Sequence, residues 1–392
     1  MTDIRTEDLP LAGIRVLEFC TVAAGPFCAM LLADMGADVI KIEPPGGDTL
    51  RSWPPITAGF SENFASLNRN KRSVVLDLKR PEDLDVALAL CAQSDVVIEN
   101  NRPGVMDRLG LGYEQLRALH PALVYCSISA YGQSGPRAGE GGFDLTIQAA
   151  AGVMSVTGDS DAPVKCGVPV SDFASGLYGA FSIASALLQA RARGRGVHLD
   201  VPMFGCTLAI GALQTSEYFG TGRSPGKLGS AHPRNAPYQA YRAADGYFAI
   251  AAGNDSLWRA VLGAVGMAPL ADDPRFLSPT LRARHQVELK ALLEEVFVHQ
   301  PVDHWIAVFR EAGVPHSRIN DYARALEDPQ VDHMGWIRDI ELPGGTQTRT
   351  FSSPVRIDGQ GVPVRSAPPA LGAHSESVRE AVGNAAQVNH LG

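Results

Sequence analysis

Short β-branched runs alternate with segments of helical period through the first half of the chain. Residues 13–19 predict a strand, 26–35 a helix stopped by Gly36, and 38–43 a second strand that ends at Pro44-Pro45-Gly46-Gly47. The alternation then recurs. A strand over 73–78 precedes a helix opening at Pro81-Glu82-Asp83, a strand covers 95–99, and a helix over 113–119 leads into a strand over 123–129. Strands that alternate with helices predict an α/β fold with a Rossmann-like, mostly parallel sheet covered on both faces. Ligands of such sheets bind beyond the carboxyl ends of the strands. The loops at 20–26, 44–51, 100–104 and 129–144 are therefore the ligand-facing candidates.

The pattern changes further on. Residues 173–190 carry no charge, which just meets the length of a bilayer span. The run is rich in Gly, Ala and Ser, however, and so predicts a helix packed inside a soluble domain. After the turn at Arg193-Gly-Arg-Gly196 come a strand over 197–201, apolar helical sequence to about 219, and a linker over 220–230. A hairpin over 238–251 turns at Ala244-Asp245-Gly246, and helices follow over 255–265, 281–297 and 301–312. This second unit reads as α+β. The remainder holds strand runs at 336–342 and 355–357, a Pro-rich stretch at 363–369 and a helix over 375–382.

Length agrees with that division, because 392 residues exceed the roughly 250–300 at which a single core stops growing. The expected segments are 1–220 for a large ligand-binding and catalytic domain, 221–330 for a smaller domain with linkers, and 331–392 for a tail returning to the first. The net charge of −8, from 34 basic and 42 acidic residues, excludes nucleic acid and anionic membrane as partners. Six dispersed cysteines without a C-x-x-C pair fit free thiols in a reducing, cytoplasmic setting, and residues 1–8 lack the apolar core of a signal peptide.

The loop Thr21-Val-Ala-Ala-Gly-Pro is no dinucleotide fingerprint, and neither a P-loop nor a G-x-S-x-G elbow occurs. The ten histidines form no metal-binding spacing. Acids beside glycine-rich turns remain. Asp172, in Val168-Pro-Val-Ser-Asp-Phe-Ala-Ser-Gly, stands where a Pro-containing turn gives way to the long helix, at a predicted N-cap. Asp144, in Gly141-Gly-Phe-Asp-Leu, reads as a turn or cap acid. Each could be a plain cap, or a carboxylate held near helix N–H groups that serve a developing oxyanion. Arg51, Lys71, Arg72, Lys79, Arg102 and Arg108 fall near the ligand-facing loops, and several cations around one cleft suit a polyphosphate ligand.

A set of motifs then carries a resemblance. Leu11-Ala-Gly-Ile-Arg-Val-Leu-Glu-Phe, Ala24-Gly-Pro, Leu32-Ala-Asp-Met-Gly-Ala-Asp-Val-Ile-Lys-Ile-Glu, Gly47-Asp-Thr-Leu-Arg and Asn70-Lys-Arg-Ser are joined by Asp95-Val-Val-Ile-Glu-Asn and Arg102-Pro-Gly-Val-Met-Asp-Arg-Leu-Gly. Together with Gly194-Arg-Gly, His232-Pro, Gly313-Val-Pro and Leu371-Gly-Ala-His, these span nearly the whole chain and resemble the class III CoA-transferase family. The resemblance implies that Asp172 is the nucleophile, passing through aspartyl anhydride and aspartyl-CoA thioester intermediates. It implies no permanently bound cofactor, with acyl-CoA and a carboxylic acid as substrates, and an interlocked homodimer. It places CoA contacts at Ala23, Ala24, Leu76, Lys79, Asn100, Asn101, Arg102, Arg108, Phe143 and Asp144.

Departures from the family pattern narrow the substrates. Pro44 and Gly141 stand where formyl-CoA transferase has phosphate-side cations, leaving Lys79, Arg102, Arg108, Arg51 or Lys71 for the phosphates. Ala23 replaces an active-site Gln and Gly229-Ser-Ala-His-Pro a tetraglycine loop, which points to an acyl group longer than formyl, with succinyl-CoA and a small dicarboxylic acid as the expected pair. The α-methylacyl-CoA racemase branch is the main alternative. Its proton-relay His and Glu correspond to Phe143 and Asn254 here, and phenylalanine carries no proton. A non-catalytic CoA-binding subunit of a heteromer is the other alternative.

Overall fold

The computed structural model describes residues 3–389, so the outermost ends of the first and last expected segments, residues 1–2 and 390–392, lie outside it. Two compact units emerge. One comprises the chain up to 153, residues 165–223 and the chain from 329, and the other residues 154–164 and 224–328. The sequence reading placed the stretch 154–164 in the first unit, because it is a short excursion with no pattern of its own.

In the first unit, β1 (Arg15–Phe19), β2 (Asp38–Glu43), β3 (Lys71–Val75), β4 (Val96–Glu99), β5 (Val124–Ser129) and β6 (His198–Pro202) form one sheet in the order β3-β2-β1-β4-β5-β6. All five pairings are parallel, with Val16 beside Val39 and Val96, and Ile98 beside Cys126. Residue period 2 divides the strands between two cores. Val16, Val39, Ile98 and Cys126 face one core, packed by α1 (Ala24–Asp34) and the long α5 (Val170–Arg193). Leu17, Ile40, Val74, Val97 and Tyr125 face the other, beneath α2 (Pro81–Ala92) and α3 (Tyr113–Leu119). The C-terminal helix α11 (Ser375–Asn389) packs on β3 and α2, with Ser375 Oγ accepting from Val75 N at 2.9 Å.

The uncharged run is explained by close helix packing. A Cβ at Gly176 would stand 2.7 Å from the Phe27 ring and 2.9 Å from the Ala24 carbonyl oxygen, and one at Gly179 would stand 3.0 Å from Cys28 Sγ. Alanine at 176 would drive α5 off α1, whereas at 179 the Cys28 sulfur would have to give by a few tenths of an ångström. By length and apolarity alone α5 could cross a membrane, but half of its apolar window is buried inside the protein.

Three charges lie inside this sheet. Glu18, Lys41 and Lys71 have fully buried side chains, and an unpaired buried charge is costly. Lys41 Nζ stands 3.0 Å from Glu18 Oε1, 3.0 Å from Asp48 Oδ2 and 2.7 Å from the Cys20 carbonyl oxygen. Lys71 Nζ stands 2.8 Å from Glu18 Oε2 and donates to the Pro26 carbonyl oxygen and Asn68 Oδ1.

The smaller unit contains an antiparallel sheet of β7 (Tyr238–Ala243), β8 (Gly246–Ala251) and β9 (His316–Arg318). It carries its own core with α8 (Asp255–Ala264), α9 (Gln286–Phe297) and α10 (Val302–Glu311). The helix expected over 281–297 breaks at His285. The preceding short helix is pinned by buried Arg282, which donates to the Ala236 and Phe276 carbonyls.

Candidate active site

Strand order 3-2-1-4-5-6 reverses direction between β1 and β4, and the loops leaving those two strands diverge there to leave a crevice. A cavity of about 480 Å³ occupies it. Its walls are 21–24 after β1, 100–103 after β4, 128–130 at the end of β5, 140–143 with Thr146, Asp172 of α5, and Met203 at the start of α6 (Met203–Ile210).

The two loops at the mouth of the crevice are tied together. Asn100 Oδ1 accepts from Thr21 N at 3.0 Å, and its Nδ2 donates to the Thr21 carbonyl oxygen at 2.9 Å. Val22 has φ +65°, an uncommon conformation for a β-branched residue. Its N–H donates to Asp48 Oδ1 at 3.1 Å, and Asp48 is held by Lys41. The buried charge cluster thus fixes the wall of the cavity. Helix α1 starts at this wall with no side-chain cap, so the amides of its first turn lie beside the cavity. On the β4 side, Glu99 Oε2 accepts from Asn101 N at 2.8 Å, and burial pushes the Glu99 carboxyl up to about 7.

Asp172 is the third residue of α5 rather than its N-cap, a position taken by Pro169. Among the described residues no hydrogen bond reaches its carboxylate. Burial, followed by the charge of Asp144, pushes it up to about 7. Asp144 opens α4 (Asp144–Ala150) and turns away from the cavity. Its Oδ1 accepts from Ser171 N at 3.0 Å and its Oδ2 from Gln148 Nε2 at 2.8 Å, while Gln148 Oε1 accepts from Cys166 N at 2.9 Å.

The fold brings Ala23, Ala24, Asn100, Asn101, Arg102 and Phe143 to the same cavity as Asp172, and it does not bring Leu76, Lys79, Arg108 or Asp144 there. The Leu76 side chain belongs to the core on the other face of the sheet, and its N–H is given to the Glu43 carbonyl oxygen at 2.9 Å. Lys79 and Arg108 are exposed. Two cations considered for phosphates are removed from that role. Lys71 is buried against Glu18, and Arg51 is bidentate to Glu43 at 2.7 Å from each oxygen while also donating to the Pro369 carbonyl. Arg102 has no ion-pair partner among the described residues, and its guanidinium lies where a Cβ on Gly141 would be, 2.9 Å from Nη2. Phe143 is 74% exposed. In the smaller unit, Asn254 Oδ1 accepts from Leu257 N at 2.9 Å and caps α8.

Sequence reasoning missed Met203, which follows a Pro at the end of β6 and carries no chemical signal of its own. It also missed Gln148 and Ser171, whose spacing of 4 from Asp144 and 1 from Asp172 becomes legible only once both acids are placed at helix starts.

Comparison with known proteins agrees with this geometry. Residues 11–375 match the model of CoA-transferase family III. The succinate–glutarate CoA-transferase of Agrobacterium fabrum is 38% identical over 387 residues, covering 96% of this chain and 97% of the relative. The acetyl-CoA:oxalate CoA-transferase of Acetobacter aceti is 39% identical over 356 residues, covering 89% and 90%. A crystal structure of a CAIB/BAIF family protein from Brucella suis superposes with a TM-score of 0.85 at 38% identity, covering 95% of this chain and 99% of that one. The chain therefore belongs to CoA-transferase family III and is an enzyme that moves CoA between an acyl-CoA and a carboxylate.

Proposed function

We propose that this enzyme transfers CoA from succinyl-CoA to a small dicarboxylic acid, with Asp172 as the nucleophile. The observation that carries the proposal is an Asp172 carboxylate with no hydrogen-bond partner among the described residues, facing a cavity at the point where the strand order reverses. An unpaired, partly desolvated carboxylate is a better nucleophile than a solvated one. Its oxygen attacks the thioester carbonyl, the C–S bond breaks, and CoA thiolate leaves behind a mixed anhydride of Asp172 and succinate. Thiolate then attacks the aspartyl carbonyl and expels succinate, leaving an aspartyl-CoA thioester. The acceptor carboxylate attacks that thioester, and the returning thiolate splits the second anhydride at the acceptor's carbonyl to give the new acyl-CoA and free Asp172. Amides at the start of α1 stand where they could receive the developing oxyanion. Arg102, Lys79 and Arg108 are the cations we assign to the anionic parts of the substrates.

The test is a panel of carboxylic acids incubated with succinyl-CoA, with new acyl-CoAs followed by mass. Dicarboxylates of three to six carbons are expected to exceed monocarboxylates of the same length at least tenfold in kcat/KM. Equal turnover of both classes would overturn the substrate assignment. Racemisation is read in a separate incubation, where fast deuterium uptake at the α-carbon of a 2-methylacyl-CoA in heavy water would favour the racemase branch. The exposure of Phe143 and the engagement of Asp144 with Ser171 and Gln148 oppose it.

We also assign a homodimer, and the support is apolar surface. Leu177, Tyr178, Phe181 and Leu188 of α5 are exposed, as are Leu213, Tyr218 and Phe219 of α7 (Ala212–Thr221), and exposed apolar side chains gathered on two helices mark a surface for a partner. Light scattering is expected to return twice the chain mass at micromolar concentration. A single-chain mass there would refute the dimer.

A further inference from the structure

We propose that Asp144 is a positioning residue for Asp172: it takes up the free amide at the N-terminus of α5, so that the Asp172 carboxylate keeps no hydrogen bond and stays a strong nucleophile. An acid at the third position of a helix is ordinarily stabilised there by the exposed N–H groups of the first turn and by the helix dipole. Here α5 runs 24 residues, its N-cap is a proline with no side chain to offer, and the amide of Ser171 is already given to Asp144 at 3.0 Å. A second carboxylate has been brought from α4 to the place where the helix would otherwise hold its own.

Asp144 is kept in that place. Gln148, one turn along α4 and fully buried, donates to its second oxygen at 2.8 Å and at its other end accepts the amide of Cys166. This chain of bonds joins the start of α4, the irregular segment before α5 and the first turn of α5. The groups around Asp172 leave few alternatives. Helix α4 supplies no other titratable side chain, α6 supplies only Cys206, and α1 supplies Cys28, whose thiol burial keeps neutral, and Asp34, which is paired with Arg69. From the loops, Arg102 and Glu140 line the same cavity. Asp144 is the charge that acts on Asp172, beside burial, in keeping its carboxyl near 7. A nucleophile poised near the working pH combines availability with basicity.

The inference rests on Asp172 as nucleophile only in its kinetic part. The experiment therefore has two readouts. The first titrates the Asp172 carboxyl directly by 13C NMR of aspartate-labelled enzyme, assigned against Asp172→Asn, in the wild type and in Asp144→Asn. The wild-type resonance is expected to titrate above pH 6, and that of the variant about one pH unit lower. A wild-type value below 5, or an unmoved value in a folded variant, overturns the proposal. The second follows kcat/KM for succinyl-CoA against pH. The acid limb of Asp144→Asn is expected to move down by about one unit, while its plateau falls about threefold at a Brønsted slope near one half. A loss of activity with neither the acid limb nor the Asp172 resonance moved would mark a purely structural role and also overturn it. Asp144→Ser, uncharged and still able to accept from the Ser171 amide, serves if the asparagine variant does not fold. If the NMR value moves and the kinetic limb does not, Asp144 stands as the group that positions Asp172, and the assignment of Asp172 as nucleophile fails instead.

Discussion

Asp172→Ala is expected to lower CoA transfer by at least about 10⁴-fold, because removal of a covalent nucleophile leaves no path through the anhydride and the binding groups alone supply little. Circular dichroism and chromatographic mass should remain those of the wild type, since no hydrogen bond depends on this carboxylate among the described residues. The conservative variant Asp172→Asn should be equally inactive and should also be more stable. The native carboxyl stands near 7 against an ordinary value near 4, so the folded protein binds a proton that the unfolded chain releases, and stability falls as pH rises from about 4 to about 7. Above pH 7 the ionised carboxylate costs about 2 kcal/mol, half of what three pH units would give for a group wholly removed from solvent. Asn removes that cost. Its melting temperature should exceed that of the wild type by several degrees at pH 8 and match it at pH 4. Transfer by Asp172→Ala within tenfold of the wild type would sink the covalent mechanism.

The largest effect on folding is expected from Lys41→Met. The lysine fills a space between three strands and ties two carboxylates and one carbonyl. Burial alone would lower its ionisation, and Glu18, Asp48 and Glu43 together outweigh burial, so Lys41 stands above the ordinary lysine value. A raised lysine contributes its stability in full below the unfolded value of about 10.5 and loses it only as pH climbs through the folded one. The contribution of Lys41 is therefore insensitive to pH between 6 and 9. Methionine preserves volume but strands Asp48, and leaves Glu18 with Lys71 alone. Breaking one member of a buried ion group typically costs about 3–5 kcal/mol, and denaturant unfolding should show a loss of that size. The double variant Lys41→Met, Asp48→Asn should recover part of it, because the stranded charge is gone. Since Asp48 also holds Val22 at φ +65°, the single variant should raise KM for acyl-CoA as well. A loss under about 1 kcal/mol would show that the cluster relaxes into solvent, contrary to its burial.

Much of this arrangement is legible along the chain. Alternating strand and helix patterns place the first strands within two or three residues, and the motifs from 11 to 110 and around Asp172 point to a CoA-transferase before any side chain is placed. The candidate nucleophile is legible as a carboxylate where a Pro-containing turn meets a small-residue helix. Its exact helical position is not, because a helix starts wherever its amides find partners, and the partner of the Ser171 amide, Asp144, is 27 residues away.

What sequence alone determined, then, is whatever depends on local period and local chemistry: the α/β class, the alternation that yields a parallel sheet, the acids at glycine-rich turns, and the family. What only the tertiary structure decided depends on which neighbours a side chain meets across the chain. Lys71 and Arg51 read as available cations in one dimension, yet Glu18 and Glu43 claim them in three. Leu76 reads as a ligand contact, yet strand alternation turns its side chain into the core. Asp144 reads as a wall of the cavity, yet it closes the helix that carries Asp172. A charge keeps its formal sign wherever it stands, but its partner, its solvation and therefore its work are properties of long-range contacts, which the linear order of residues does not record.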